Sequence, residues 1–95
     1  MRLGYSQEAV EDLVRLRDFI AEKNPEAAAR IAERLVVGIE NLKVFPKLGR
    51  PVEQAPEPER IRDLFLENYV LRYLVLEKSV HILRIWHQRE NRLEA

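Results

Sequence analysis

Apolar residues along this chain follow a helical period in its first half and a strand period in its last third. Ala9, Leu13, Leu16 and Ile20 recur at i, i+4, i+7 and i+11 as one stripe, with Glu8, Glu11, Arg15, Asp18 and Glu22 largely opposite. Ser6 stands ahead of the stripe as a natural N-cap, so the pattern predicts a helix ending near Lys23. Glu11 and Arg15 add a favourable i,i+4 pair. Asn24-Pro25 restarts the chain, because asparagine caps and proline loses nothing at the first helical position, and Glu26 complements the helix dipole. Ala28, Ile31, Ala32, Leu35, Ile39 and Leu42 form a second stripe, and the short connection predicts an antiparallel helical hairpin. Gly38 costs that helix about 1 kcal/mol relative to alanine, so a close packing contact is expected there.

Phe45-Pro46 stops the second helix, and Lys47 to Glu59, with Gly49, Pro51, Pro56 and Pro58, reads as an ordered loop. Then Arg60 to Leu66, Tyr69 to Leu76 and Ser79 to Trp86 become rich in leucine, aromatic and β-branched residues. The breaks at Glu67-Asn68 and Glu77-Lys78 suit tight hairpins, which predicts an antiparallel meander. Arg2 to Tyr5 is expected to add a short strand to the same sheet. The fold class is therefore α+β, in the order β-α-α-β-β-β, with the helical hairpin packed on one face of a small antiparallel sheet. A single domain over residues 1–95 is expected, with a polar tail at 88–95. If the last strand is regular, His81, Leu83, Ile85 and His87 share one face, and Val80, Ile82, Arg84 and Trp86 the other.

Composition narrows the function. The sixteen basic and sixteen acidic residues give a formal net charge of zero, so any nucleic-acid contact must come from local segregation of charge. Arg60, Arg62, Arg72, Lys78, Arg84, Arg89 and Arg92 outnumber Asp63, Glu67, Glu77 and Glu90 in the C-terminal third. That segregation reads either as a positive face or as solvated arginines on strand edges. The absence of cysteine removes disulfides and thiolate ligands. Two histidines without clustered carboxylates argue against a metal, and three scattered glycines build no phosphate loop, so no cofactor is expected. No stretch approaches the roughly 20 apolar residues that span a bilayer. Met1-Arg2-Leu3-Gly4-Tyr5 runs directly into a charged helix rather than a signal peptide, so a cytoplasmic protein without membrane contact is expected.

Several segments resemble one family in the right order. Tyr5-Ser6, Glu8-Ala9, Asp12-Leu13, Ile20-Ala21-Glu22 and Asn24-Pro25-Glu26-Ala27-Ala28 resemble the helical half of ParE-type toxins. Phe45-Pro46-Lys47-Leu48-Gly49-Arg50-Pro51 resembles the loop signature of that group and is the most specific piece. Tyr69 to Tyr73 and Ile82-Leu83-Arg84-Ile85-Trp86-His87 are similar to its closing strands. The chain is thus similar to the ParE/RelE toxin superfamily of type II toxin–antitoxin modules, and closer to the ParE branch. The resemblance implies a toxin neutralised by a cognate antitoxin whose segment folds as it wraps the toxin, with a higher-order hetero-oligomer as the complex. It also implies one of two targets: DNA gyrase, poisoned through protein contact without catalytic residues, or the ribosome, where relatives cut mRNA.

Metal-independent RNA cleavage needs a base, an acid and cations around the phosphorane. His87, Arg84 and Arg62 are the residues that would supply them, with Lys47, Arg50 and Arg89 at the rim. Each has a structural alternative. His87 can pack or cap the strand end, Arg50 can hold loop carbonyls, and Arg62 or Arg84 can pair with Asp63 or Glu67. Arg84 and His87 share a site only if the strand ends or bulges before His87. For a contact surface toward antitoxin or target, the candidates are Arg50, Arg72, Tyr73, Trp86 and Arg89. Trp86, Tyr69 and Tyr73 carry core placement as their alternative.

Overall fold

Ser6 ends the first strand and opens the first helix. The computed structural model describes residues 1–89, in which β1 (Arg2–Tyr5) runs into α1 (Gln7–Lys23). Ser6 Oγ accepts from the Ala9 amide at 3.0 Å, satisfying a donor that the helix itself leaves unpaired. Asn24 serves two helices at once. Its amide donates to the Ile20 carbonyl at 2.8 Å and closes α1, while its side chain accepts from the Ala27 amide at 3.1 Å. With Pro25 in the first turn, α2 (Pro25–Asn41) starts there, and the hairpin is as expected. Gly38 has the predicted close contact: an added Cβ would stand 2.5 Å from Leu66 Cδ1.

The strands β2 (Arg50–Pro51), β3 (Ile61–Leu66), β4 (Tyr69–Val75) and β5 (Ser79–His87) complete a five-stranded sheet in the order β1-β5-β4-β3-β2. The meander β3-β4-β5 is antiparallel, as its tight breaks require. Two features depart from the expected sheet. β1 pairs with β5 in parallel, so the sheet is mixed, because the whole chain intervenes between the two strands. The proline-rich loop also contributes a two-residue strand, β2, paired with Arg62 and Asp63 of β3.

β5 is not regular. Arg72 faces Arg84 while the next residue, Tyr73, faces Ile82, so Leu83 is an extra residue that forms a bulge. Alternation therefore resets in mid-strand, correcting the regular pattern. Val80, Ile82 and Ile85, all without exposed area, join one core, and Arg84 and Trp86 follow the opposite phase. That core also holds Ala9, Leu16, Leu35, Ile39 and Leu42 from the helical side, and Leu64, Tyr69, Leu71 and Tyr73 from β3 and β4. Val70 and Trp86 are buried yet lie outside it, which marks the other face of the sheet as a second, smaller layer.

Past Tyr5, β1 no longer covers β5, and the outward backbone of residues 83–87 would be an open edge. Side chains of α1 and of its N-cap take the place of a strand. Ser6 Oγ donates to the Leu83 carbonyl at 2.8 Å, Asp12 Oδ2 accepts from the Ile85 amide at 2.9 Å, and Arg15 donates to the Ile85 carbonyl at 3.2 Å. These bonds fix the register of α1 on the sheet.

Candidate functional site

The three residues considered for RNA cleavage are each committed elsewhere, and the fold does not bring them together. Arg62, on β3, is only 6% exposed and works beneath the proline-rich loop. Its guanidinium donates to the carbonyls of Gly49 at 2.9 Å, Lys47 at 3.4 Å and Glu59 at 3.0 Å, and to Glu59 Oε1 at 2.9 Å. Arg84 reaches around the β5 edge to Asp12, with contacts of 2.8 and 3.2 Å, and this hydrogen bonding raises the guanidinium's already high pKa. His87 stands edge-on to the Tyr69 ring at 5.0 Å, and its Nδ1 accepts the Arg89 amide at 3.0 Å. The strand-end capping considered from sequence is therefore present. The bulge in β5 precedes Arg84 rather than falling between Arg84 and His87, so these two still point to opposite faces.

The loop signature has a physical basis. Tyr73, fully buried on β4, donates its phenol to the Pro46 carbonyl at 2.8 Å and accepts from the Gly49 amide at 2.8 Å. Burial raises its pKa, opposed by the Gly49 hydrogen bond and the charge of Arg62. An added Cβ on Gly49 would lie 2.8 Å from both the Asp63 carbonyl oxygen and the Tyr73 hydroxyl, so no larger residue fits there without displacement. Holding the loop carbonyls, a role considered for Arg50, falls instead to Arg62. Tyr73, a candidate for surface contact, is turned into the core by the strand's alternation.

Arg50, Arg72 and Trp86 do share a surface, on the sheet face away from the helical core. Arg72 is fastened by two hydrogen bonds to Asp63, at 2.8 and 2.9 Å, and its guanidinium lies 5.2 Å from the centre of the Trp86 ring. The Asp63 hydrogen bond is the main cause of its raised pKa. Arg50 lies over the half-exposed Phe65 ring at 5.8 Å. Between them runs a groove of about 500 Å³, lined in part by Arg50, Val52, Glu53, Asp63, Phe65 and Arg72. Arg89 is exposed beyond the end of β5. Sequence reasoning left out Asp12, whose role depends on a partner 73 residues away, and Phe65, whose exposure follows from alternation with the buried Leu64. Such a surface can fasten a polypeptide through cation and ring contacts.

Comparison with known proteins agrees with this fold. Residues 3–92 match the family described as "ParE toxin of type II toxin-antitoxin system, parDE". The toxin RelE1 of Caulobacter vibrioides is 39% identical over 88 residues, covering 92% of each chain. Toxin RelE2 of the same organism is 38% identical over 80 residues, covering 83% of this chain and 85% of that one. A solved chain from the chromosomal ParDE TA system of P. aeruginosa superposes with a TM-score of 0.76 at 27% identity, covering 92% of this chain and 95% of that one. This chain belongs to the ParE toxin family of type II toxin–antitoxin systems.

Proposed function

We propose that this toxin acts on DNA gyrase by protein–protein contact, trapping the cleaved-DNA intermediate, and that its cognate antitoxin neutralises it by covering the toxin surface. The observation that carries this reading is the separation of Arg62, Arg84 and His87. The first is spent on loop carbonyls, the second on Asp12, and the third lies on the other face of β5 from Arg84. A nuclease needs its acid, base and cation within hydrogen-bond reach of one phosphate. A formal net charge of zero adds to the case, since tight binding to a phosphate-rich ribosome draws on many basic contacts. A protein contact needs neither condition.

The competing reading, a ribosome-dependent mRNA endoribonuclease, draws on the names of the two Caulobacter relatives. Pulse labelling after induction of this chain alone in bacteria separates the two. An early fall in DNA synthesis with protein synthesis intact is the expected result. An early fall in protein synthesis would overturn the gyrase reading and favour the nuclease.

A further inference from the structure

The groove on the outer sheet face has a chemistry more specific than exposed apolar surface. Arg50 contacts the Phe65 ring, and its guanidinium has no hydrogen bond or ion pair among the described residues. Arg72 spends Nε and Nη2 on Asp63, which leaves Nη1 without an acceptor among the described residues. Both guanidiniums are already positioned, Arg50 by a ring and Arg72 by a ring and a carboxylate, so little side-chain freedom is left to lose on binding. The groove continues past Arg50 into a second depression of about 300 Å³, where Leu48 and Phe65 offer half-exposed apolar surface.

The sign of the lining selects the kind of ligand. Arg50 and Arg72 are balanced by Glu53 and Asp63, so the groove as a whole is neutral. A nucleic-acid backbone, which gains affinity by neutralising phosphates in succession, finds no net positive track here. A single carboxylate next to an apolar side chain does fit. The carboxylate reaches Arg50 and the spare nitrogen of Arg72, while the apolar group covers Phe65 and Leu48. The family match carries one macromolecular partner, the antitoxin. We infer that this groove receives a segment of the antitoxin in which an acidic residue neighbours an apolar one. The inference rests on the antitoxin part of the proposed function and is independent of the toxin's target.

The test uses the full chain labelled with ¹⁵N and a short peptide in which glutamates alternate with leucines, compared with its glutamine counterpart and a single-stranded oligonucleotide. The glutamate peptide is expected to shift the amides of Arg50, Phe65 and Arg72 and the indole of Trp86. The glutamine peptide should bind about tenfold more weakly, as loss of a charge-assisted hydrogen bond implies. Arg50→Gln, at an exposed position, should weaken the glutamate peptide by a similar factor, with an unchanged melting curve as the control for folding. Purified antitoxin should compete the peptide off. Equal affinity for the two peptides, shifts confined to other surfaces, an oligonucleotide that moves the same resonances, or peptide and antitoxin bound together would each overturn the inference. Pulse labelling reads the target separately. A fall in protein synthesis there would remove the gyrase reading and leave the peptide result to stand or fall by itself.

Discussion

Tyr73 shows how much of this molecule depends on one polar atom. Its phenol ties the loop to the sheet through a donor and an acceptor that are both protein backbone. Tyr73→Phe keeps the ring and strands the Gly49 amide and the Pro46 carbonyl, so about 2 kcal/mol of stability should be lost, read as a lower midpoint in urea. A loss below about 0.5 kcal/mol would mean that water replaces both bonds. The same residue shapes the alkaline limb. Burial raises the Tyr73 pKa in the folded chain, so the folded state holds its proton longer than the unfolded state does. Stability is then full below the ordinary tyrosine range, and falls as pH rises from there toward the raised value. Tyr5 is raised as well, by burial and by Glu40 against Lys43, and so contributes in the same direction. Tyr73→Phe should remove part of this alkaline loss and leave the share due to Tyr5. Glu67 offers a change of opposite sign. It turns the β3–β4 hairpin at φ 56°, a left-handed conformation that costs a side chain about 1 kcal/mol. Glu67→Gly should raise the melting temperature even though it removes an exposed ion pair with Arg34, a pair of small worth.

At the scale of elements, the docking of α1 on β5 is the feature to test. Asp12 is 4% exposed and accepts from the Ile85 amide, Arg84 and Arg15, so one carboxylate joins a helix to a strand edge. Asp12→Ala should cost about 3 kcal/mol, because it leaves a buried amide without its acceptor and takes from Arg84 and Arg15 the carboxylate they share. Arg84→Ala should cost about 1 kcal/mol or less, since Arg84 is a third exposed and water can replace it. Thermal unfolding of both variants gives the ratio, and an Asp12→Ala loss no larger than that of Arg84→Ala would show that the edge bonds contribute little. The difference between what sequence revealed and what it concealed follows the same division. Ser6, Asn24 and Pro25 act on their immediate neighbours, so the helix ends were legible in the sequence. So were the meander, from its breaks at Glu67-Asn68 and Glu77-Lys78, and the close contact at Gly38. The parallel β1, the short β2 and the role of Asp12 depend on residues far along the chain, and no local pattern encodes them. The β5 bulge lies between: buried positions at Val80, Ile82 and Ile85 step by two and then by three, a break that strict alternation had hidden.

For the molecule as a whole, the sheet separates a face filled by the helices from an open one. The helical side is filled by the core, with Tyr73 and Arg62 also used to hold the loop, whereas the outer side carries Arg50, Phe65 and Arg72 around an open groove, with Trp86 buried beside Arg72. Of the residues singled out for a site from sequence, Arg50, Arg72 and Trp86 therefore come together, while Tyr73 goes to the other face and Arg62 beneath the loop. Periodicity could assign the faces but not which of them the helices would cover. His87 tests the division most directly. A nuclease would need its imidazole as acid or base. Here it packs against Tyr69 and caps the turn at Arg89, a role that predicts a loss of about 1 kcal/mol in stability for His87→Ala. On the proposed gyrase reading, the variant induced alone at a temperature well below its melting point should arrest DNA synthesis within about twofold of the parent chain, since a tenfold change in rate would require about 1.4 kcal/mol of lost stabilisation at the acting step. A variant that folds, melts only slightly lower and yet no longer arrests growth would put His87 in the acting surface. The capping role would then be insufficient to account for it.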